Sequence, residues 1–329
     1  MSLSQRFRKM PGVLSMLMVA GAAVFANPAS AAWPERAITL VVGYPAGSLT
    51  DLLARRVGNH IGQQLGQSVV VENRSGGGGI VGAEYTKKAA ADGYTLMVAP
   101  PSFVFSPVFR PHTPFDPIND FTPIAMLSTT TMALYVGKDV PASNLSEYIS
   151  YSKTLNGGIS LGNTGNGSAS HVSAELLKMT TDVELTVIPY RGGAPAANDL
   201  LGGQLPSLVY DIGSMLPHLK EGSVKAIGLT GTQRHPLMPD VPTLAEQGAE
   251  GFEVDTWFGL VGPAGIPADR VEILNRLAIE ALKTPESVEW MESRGLIGSD
   301  ASAGQLGEFV SKEIQKWTEF NKVANITIE

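Results

Sequence analysis

The sequence predicts an α/β fold of two strand–loop–helix lobes with a ligand cleft between them. Three observations carry this. Short apolar strands alternate with amphipathic helices along the chain. The alternation restarts after Met126, as a second lobe would require. Strands end repeatedly in glycine-rich loops that open onto helices, as in "YPAGSLTD", "GNTGNGSAS" and "PYRGGAP". Open α/β sheets bind ligands at such strand ends.

Residues 1–31 read as an export signal. Arg6, Arg8 and Lys9 form a basic start, Val13 to Ala26 is an apolar run, and Ala29-Ser30-Ala31 is a small-residue cleavage pattern. The apolar run is shorter than the ~20 residues a membrane span needs. The formal charge is −7, and removing a signal with three cations and no acids leaves about −10. An acidic surface argues against nucleic acid and anionic membranes as partners. It leaves room for a small anion held by backbone dipoles. With no cysteine in the chain, the core must suffice without disulfides.

In order, Ile38 to Val42 is a buried strand. Thr50 to Leu65 is a helix with Leu53, Val57, Ile61 and Leu65 on one face. Val69 to Val71 is a strand, Gly76 to Gly79 a loop, Ile80 to Ala90 a helix and Tyr94 to Ala99 a strand that Pro100-Pro101 ends. Met126 to Val136 reads as one strand. In the second lobe, strands at 159–161, 186–188 and 207–210 lead into loops and helices, and 224–229 is one more strand. A late strand, Trp257 to Val261, precedes two amphipathic helices marked by Val271, Leu274, Ala278 and Ala281, then by Leu306, Val310, Ile314 and Trp317. The chain therefore divides into a signal (1–31), lobe 1 (32–130 with 256–329) and lobe 2 (131–255).

The loops carry the chemistry. In "YPAGSLTD", Ser48 or Thr50 caps a helix whose first-turn N–H groups can donate to a carboxylate. Asn163, Thr164, Asn166, Ser168 and Ser170 supply uncharged donors in a loop curved by three glycines. Tyr190 and Arg191 precede a Gly-Gly pair, and Asp211 ends a strand. Each of these also suits a plain turn or cap. Gly77, Gly79 and Gly82 match G-x-G-x-x-G, but Glu72 to Gly76 separate them from the strand, so dinucleotide binding is not predicted. The glycines instead let backbone approach backbone or ligand. Ser168, His171 and Asp211 could be drawn as a hydrolase triad, but there is no G-x-S-x-G elbow. His60, His112, His171, His218 and His235 are scattered, so no metal site is predicted, and no cofactor.

The motifs "WPERAITLVVGYPAGSLTDLLAR", "GQSVVVENRSGGGGIVGAE", "ADGYTLMV", "PYRGGAPAANDLLGGQ", "MPDVPTLAEQG" and "FEVDTWFGLVGPAGIP", in this order, resemble the substrate-binding receptors of tripartite tricarboxylate transporters, the Bug-type periplasmic proteins. The resemblance implies a type II-like periplasmic-binding-protein fold, a Venus flytrap. It also implies a non-enzymatic, monomeric, periplasmic receptor that delivers a small carboxylate (a di- or tricarboxylate or an aromatic acid) to a membrane permease. A sensor for a two-component system is the alternative, and a secreted hydrolase a third reading. The implied ligand-binding residues are Tyr44, Ala46, Gly47, Ser48, Thr50, Asp51 and Ser102 in lobe 1. In lobe 2 they are Asn163, Thr164, Ser168, Ser170, His171, Tyr190, Arg191, Gly192, Asp211 and Ser214. Where the family commonly has two glycines in the first loop, this chain has Gly47-Ser48. The apolar "APPSFVFSP" hints at a bulkier or aromatic acid.

Overall fold

A computed structural model describes residues 33–324 and 326–328, so the signal segment, with its cleavage point near Ala31, lies outside the described residues. The first strand, β1 (Ile38–Val42), is apolar apart from Thr39 because it is central, with β2 (Val69–Asn73) and β3 (Thr95–Ala99) parallel to it on either side. Between them, α1 (Leu49–Leu65) starts where the Ser48 hydroxyl accepts from the Asp51 N–H and stops at Gly66, which takes φ 65°. Its face of Leu53, Ala54, Val57 and Ile61 is buried. After a 3₁₀ turn at Gly77–Gly79, α2 (Ile80–Lys87) follows. A β-carbon at Gly43 would lie 2.8 Å from the Gly79 Cα, and one at Gly82 3.0 Å from the Gly43 Cα. Gly79 and Gly82 of the G-x-G-x-x-G match thus serve backbone packing.

Pro100-Pro101 ends β3 and leads directly into α3 (Ser102–Phe109), a helix the sequence reading did not assign. Phe103, Phe105 and Phe109 are buried there; the Phe105 ring stands 5.0 Å from Trp317 and the Phe103 ring 4.8 Å from Phe121, both edge-on. The phenylalanines of "APPSFVFSP" therefore fill the core, and the hint of a bulky ligand cannot rest on them.

The predicted strand from Met126 to Val136 is in fact two strands. β4 (Phe121–Thr130) pairs in the first sheet and β5 (Met132–Gly137) in the second, with Thr131 between them. The junction carries three consecutive threonines, Thr129 to Thr131, which favour extended backbone, and no glycine or proline marks the change of sheet. The second sheet continues through α4 (Leu145–Ser152), β6 (Ile159–Asn163), α5 (Ala169–Thr180), β7 (Leu185–Pro189), α6 (Gly193–Leu201), β8 (Ser207–Asp211), α7 (Ile212–Lys220) and β9 (Val224–Leu229). The chain then returns to the first sheet with β10 (Thr256–Pro263), α8 (Ala268–Lys283), α9 (Pro285–Ser293), β11 (Ile297–Gly298) and α10 (Ala303–Ala324). The sheet orders are β11-β4-β10-β3-β1-β2 and β7-β6-β8-β5-β9.

The two passages between sheets are tied together. The Met132 N–H donates to the Thr230 hydroxyl (3.1 Å), Thr230 N–H donates to the Met132 carbonyl (2.9 Å), and Val254 N–H donates to the Thr230 carbonyl (2.9 Å). Thr131 and Thr230 are almost fully buried. The residues joining the sheets thus satisfy each other's polar groups rather than water's.

Candidate functional site

A cavity of about 300 Å³ lies between the two sheets. Five helices begin on it: α1 at Ser48–Thr50, α3 at Pro101–Ser102, α5 at Ser168–Ser170, α6 at Gly192–Pro195 and α7 at Asp211. The first-turn N–H groups of a helix lack intrahelical acceptors, so each start is a place for negative charge.

The first loop is built by ionic contacts behind the cavity. Asp51 is 1% exposed. Its carboxylate accepts from Gly47 N–H (2.9 Å), the Asn73 amide (2.9 Å) and Arg55 Nε (3.0 Å), and Asn73 also donates to the Tyr44 carbonyl (3.0 Å). Burial alone would raise the Asp51 carboxyl, but Arg55, Gly47 N–H and Asn73 together hold it below the usual carboxylate range. Gly47 takes φ 82°, which an L side chain rarely adopts, and has open space where a β-carbon would stand. The Tyr44 hydroxyl donates to Ser102 Oγ (3.1 Å), and burial raises its pKa.

The second-lobe loop is built from neutral groups. Thr164 N–H donates to Ser170 Oγ (2.9 Å), Ser168 and Ser170 hydroxyls are 3.0 Å apart, and Gly165 N–H donates to Asn163 Oδ1 (2.7 Å). Gly167 N–H donates to His171 Nδ1 (3.2 Å). Burial lowers the pKa of that imidazole. Its Nδ1 is therefore held by backbone, while Ser168 Oγ accepts from the His171 backbone N–H (3.3 Å). Asp211 caps α7 by accepting from Ser214 N–H (2.8 Å). This arrangement is three helix-start bonds, not a Ser–His–Asp relay.

Of the residues singled out from sequence, Tyr44, Ala46, Gly47, Ser48, Thr50, Ser102, Thr164, Ser168, Ser170, Arg191, Gly192 and Asp211 line the cavity. Asp51, Asn163, His171, Tyr190 and Ser214 do not. Each of these five instead holds a loop or helix start, Tyr190 by donating its hydroxyl to Asp199 Oδ2 (2.7 Å). The sequence reading missed Met132, Tyr210, Thr256 and Phe258, which line the cavity near the passages between sheets. It also missed Pro45, Leu49, Pro100, Pro101, Ala169, Gly193, Ala194 and Pro195, each beside a residue it had named or quoted. Tyr210 faces Gly193 so closely that a β-carbon there would fall 2.0 Å from its ring. Thr256 Oγ1 is buried without a hydrogen-bond partner.

The lobes also touch beside the cavity. Arg110, just after α3, donates to the Asn166 carbonyl (3.3 Å). A β-carbon at Gly78 would sit 2.5 Å from that same oxygen.

Two α/β lobes, joined by paired passages and enclosing a cavity ringed by helix starts, define a solute-binding protein. The chain belongs to the tripartite tricarboxylate transporter receptor family, whose profile matches residues 53–326. It is similar to the periplasmic binding protein BugD (TM-score 0.84, 34% identity, covering 90% of this chain and 99% of that one). It is similar also to Rpa4515 of R. palustris, solved with adipate (TM-score 0.84, 32% identity, 90% and 99% covered). MatC from Rhodopseudomonas palustris, solved with malate, matches at TM-score 0.82 and 33% identity over 87% and 99% of the two chains. These relatives are binding proteins, not enzymes, as the sequence reading expected of this chain.

Proposed function

We propose that this chain is a periplasmic receptor that captures a small carboxylate between its lobes and delivers it, as a monomer, to a membrane permease of the tripartite tricarboxylate type. The observation that carries the reading is the convergence of helix starts on one cavity. Three of them, α1, α5 and α6, present N–H groups to it, and the acidic residue of the lining, Asp211, stands at the start of α7 instead. The relatives solved with adipate and malate support a carboxylate as the ligand class. In this reading the signal at 1–31 directs export, and lobe 1 (32–130 with 256–329) closes on lobe 2 (131–255) about Thr131 and Thr230. The twelve lining residues named from sequence contact the ligand, and Asp51, Asn163, His171, Tyr190 and Ser214 hold the loops that do.

A thermal-unfolding screen of carboxylic acids, each beside its amide, tests this. Binding to the folded state alone stabilises by about 2.7 kcal/mol at a hundredfold excess over Kd. The right acid therefore raises the midpoint by a few degrees, roughly 2–4 °C per kcal/mol at this size. The amide lacks the charge-assisted bonds and leaves the midpoint in place. Equal shifts for acid and amide would remove the electrostatic basis of the reading.

A further inference from the structure

We propose that the ligand carries a single carboxylate on an apolar body, and that the interior of the cavity excludes a second carboxylate. This inference rests on the receptor reading above and narrows its ligand class.

The five helix starts are not equivalent. The loops that open α1, α5 and α6 adjoin one another. A β-carbon at Gly192 would lie 3.9 Å from the Pro45 ring, and one at Gly165 3.5 Å from the Tyr190 carbonyl oxygen. Together these starts form one cluster of unfilled backbone donors, enough for one carboxylate. Pro45, Ala46 and Gly47 in this cluster are exposed, as is Arg191, so it stands at the solvent side of the cavity. Arg191 is also the only lysine or arginine in the cavity lining among the described residues.

The other two starts offer an anion less. At α3 neither Pro100 nor Pro101 has an N–H, and the Phe103 and Val104 N–H groups donate to the Pro100 and Pro101 carbonyls, which leaves the Ser102 N–H alone. At α7 the position is already taken by a carboxylate of the protein itself. Asp211 is 8% exposed, lines the cavity and accepts from Ser214 N–H. Met132 lies directly opposite Asp211 across the β5–β8 pair, and Phe258 and the Tyr210 ring complete this end of the cavity. A second carboxylate placed here would be desolvated against Met132, Phe258 and the prolines. It would meet Asp211 in place of a cation. A hydrocarbon or aromatic body meets no such cost, and a hydroxyl on it could reach the unpartnered Thr256 Oγ1. Burial also raises the Asp211 pKa, against the opposing effects of Ser214, Arg294 and the Tyr210 hydroxyl, as expected for an acid walled by apolar groups.

Matched pairs that differ only by the second carboxylate test the assignment. Isothermal titration of the purified mature chain at neutral pH with hexanoate and adipate, then with benzoate and terephthalate, is expected to give at least tenfold tighter binding for the monoacid in each pair that binds. Asp211→Asn, which keeps a good helix cap, is expected to narrow that ratio by relieving the like-charge contact. Adipate or terephthalate binding as tightly as its monoacid would overturn the single-carboxylate assignment and leave the receptor reading standing. An unchanged ratio in Asp211→Asn would overturn the role given to that residue. If none of the four acids binds and the wider acid screen is also flat, both readings fall.

Discussion

Each lobe buries one aspartate at the start of a helix, and the two titrate in opposite directions. Asp51, in the first turn of α1, is met by Arg55, Asn73 and the Gly47 N–H, and its pKa falls despite burial. Asp211, capping α7, is met chiefly by the Ser214 backbone and hydroxyl, and burial wins, so its pKa rises. Residue type, burial and nearness to a helix start are shared. The difference is a cation and an amide on one side and apolar walls on the other. A buried carboxylate with full partners holds a loop in shape, and one with no hydrogen-bonded cation is left to face whatever enters the cavity.

The largest test of this contrast is Asp51→Ala. It strands the Gly47 N–H and the Asn73 amide and leaves Arg55 without its acid, so a loss of about 2–4 kcal/mol is expected in urea unfolding at neutral pH. A loss under about 0.5 kcal/mol would mean the network is ornamental. The pH profile follows from the sign of the shift. Because the folded pKa of Asp51 is depressed, its contribution is complete above the ordinary carboxylate range and disappears as pH falls through the folded value. Asp51→Asn should flatten that acid limb.

A smaller effect is expected at the matching helix start of lobe 2. Ser168 Oγ accepts from His171 N–H and neighbours Ser170 Oγ. Ser168→Ala should cost about 1 kcal/mol, the usual worth of an N-cap, with no change in the slope of stability against pH, since no charge is involved. A pH-dependent loss would show that lobe 2 is not held by neutral bonds as described.

Smallest is Asp211→Asn, measured as stability rather than binding. Asparagine retains the cap and relieves a desolvated carboxylate, so unfolding free energy at neutral pH should change by less than about 1 kcal/mol. A folded pKa above the unfolded one means that the wild-type contribution is full below the ordinary carboxylate value and is lost as pH rises through the folded value. The variant should therefore lack that gain on mild acidification. If Asp211→Asn costs as much as Asp51→Ala, the two aspartates are equivalent and the comparison fails.

Local pattern was enough to read β1, β9 and α8, because both strands are short, mostly apolar runs and a surface helix keeps its 3.6-residue face. It was also enough to find the loops at Ser48, Ser168 and Arg191, because glycine, proline and capping residues act over a few neighbours. Three helices, α3, α4 and α9, were passed over. α3 is short, buries its serines Ser102 and Ser106 along with its phenylalanines, and carries Pro107 within it, so it shows no solvent-facing polar side to read.

Three things were decided only by the tertiary structure. One is the change of sheet at Thr131, where Met126 to Val136 holds no glycine or proline while its hydrogen bonds pass to different partners. Another is the part of the cavity made by Met132, Tyr210, Thr256 and Phe258, which come together from three strands and carry no motif. The last is which aspartate holds a loop and which faces the cavity. The sequence determines that Asp51 and Asp211 sit at helix starts, because capping is local. Their charge states depend on Arg55, Asn73 and apolar walls brought from elsewhere in the chain, and those partners exist only once the chain has folded.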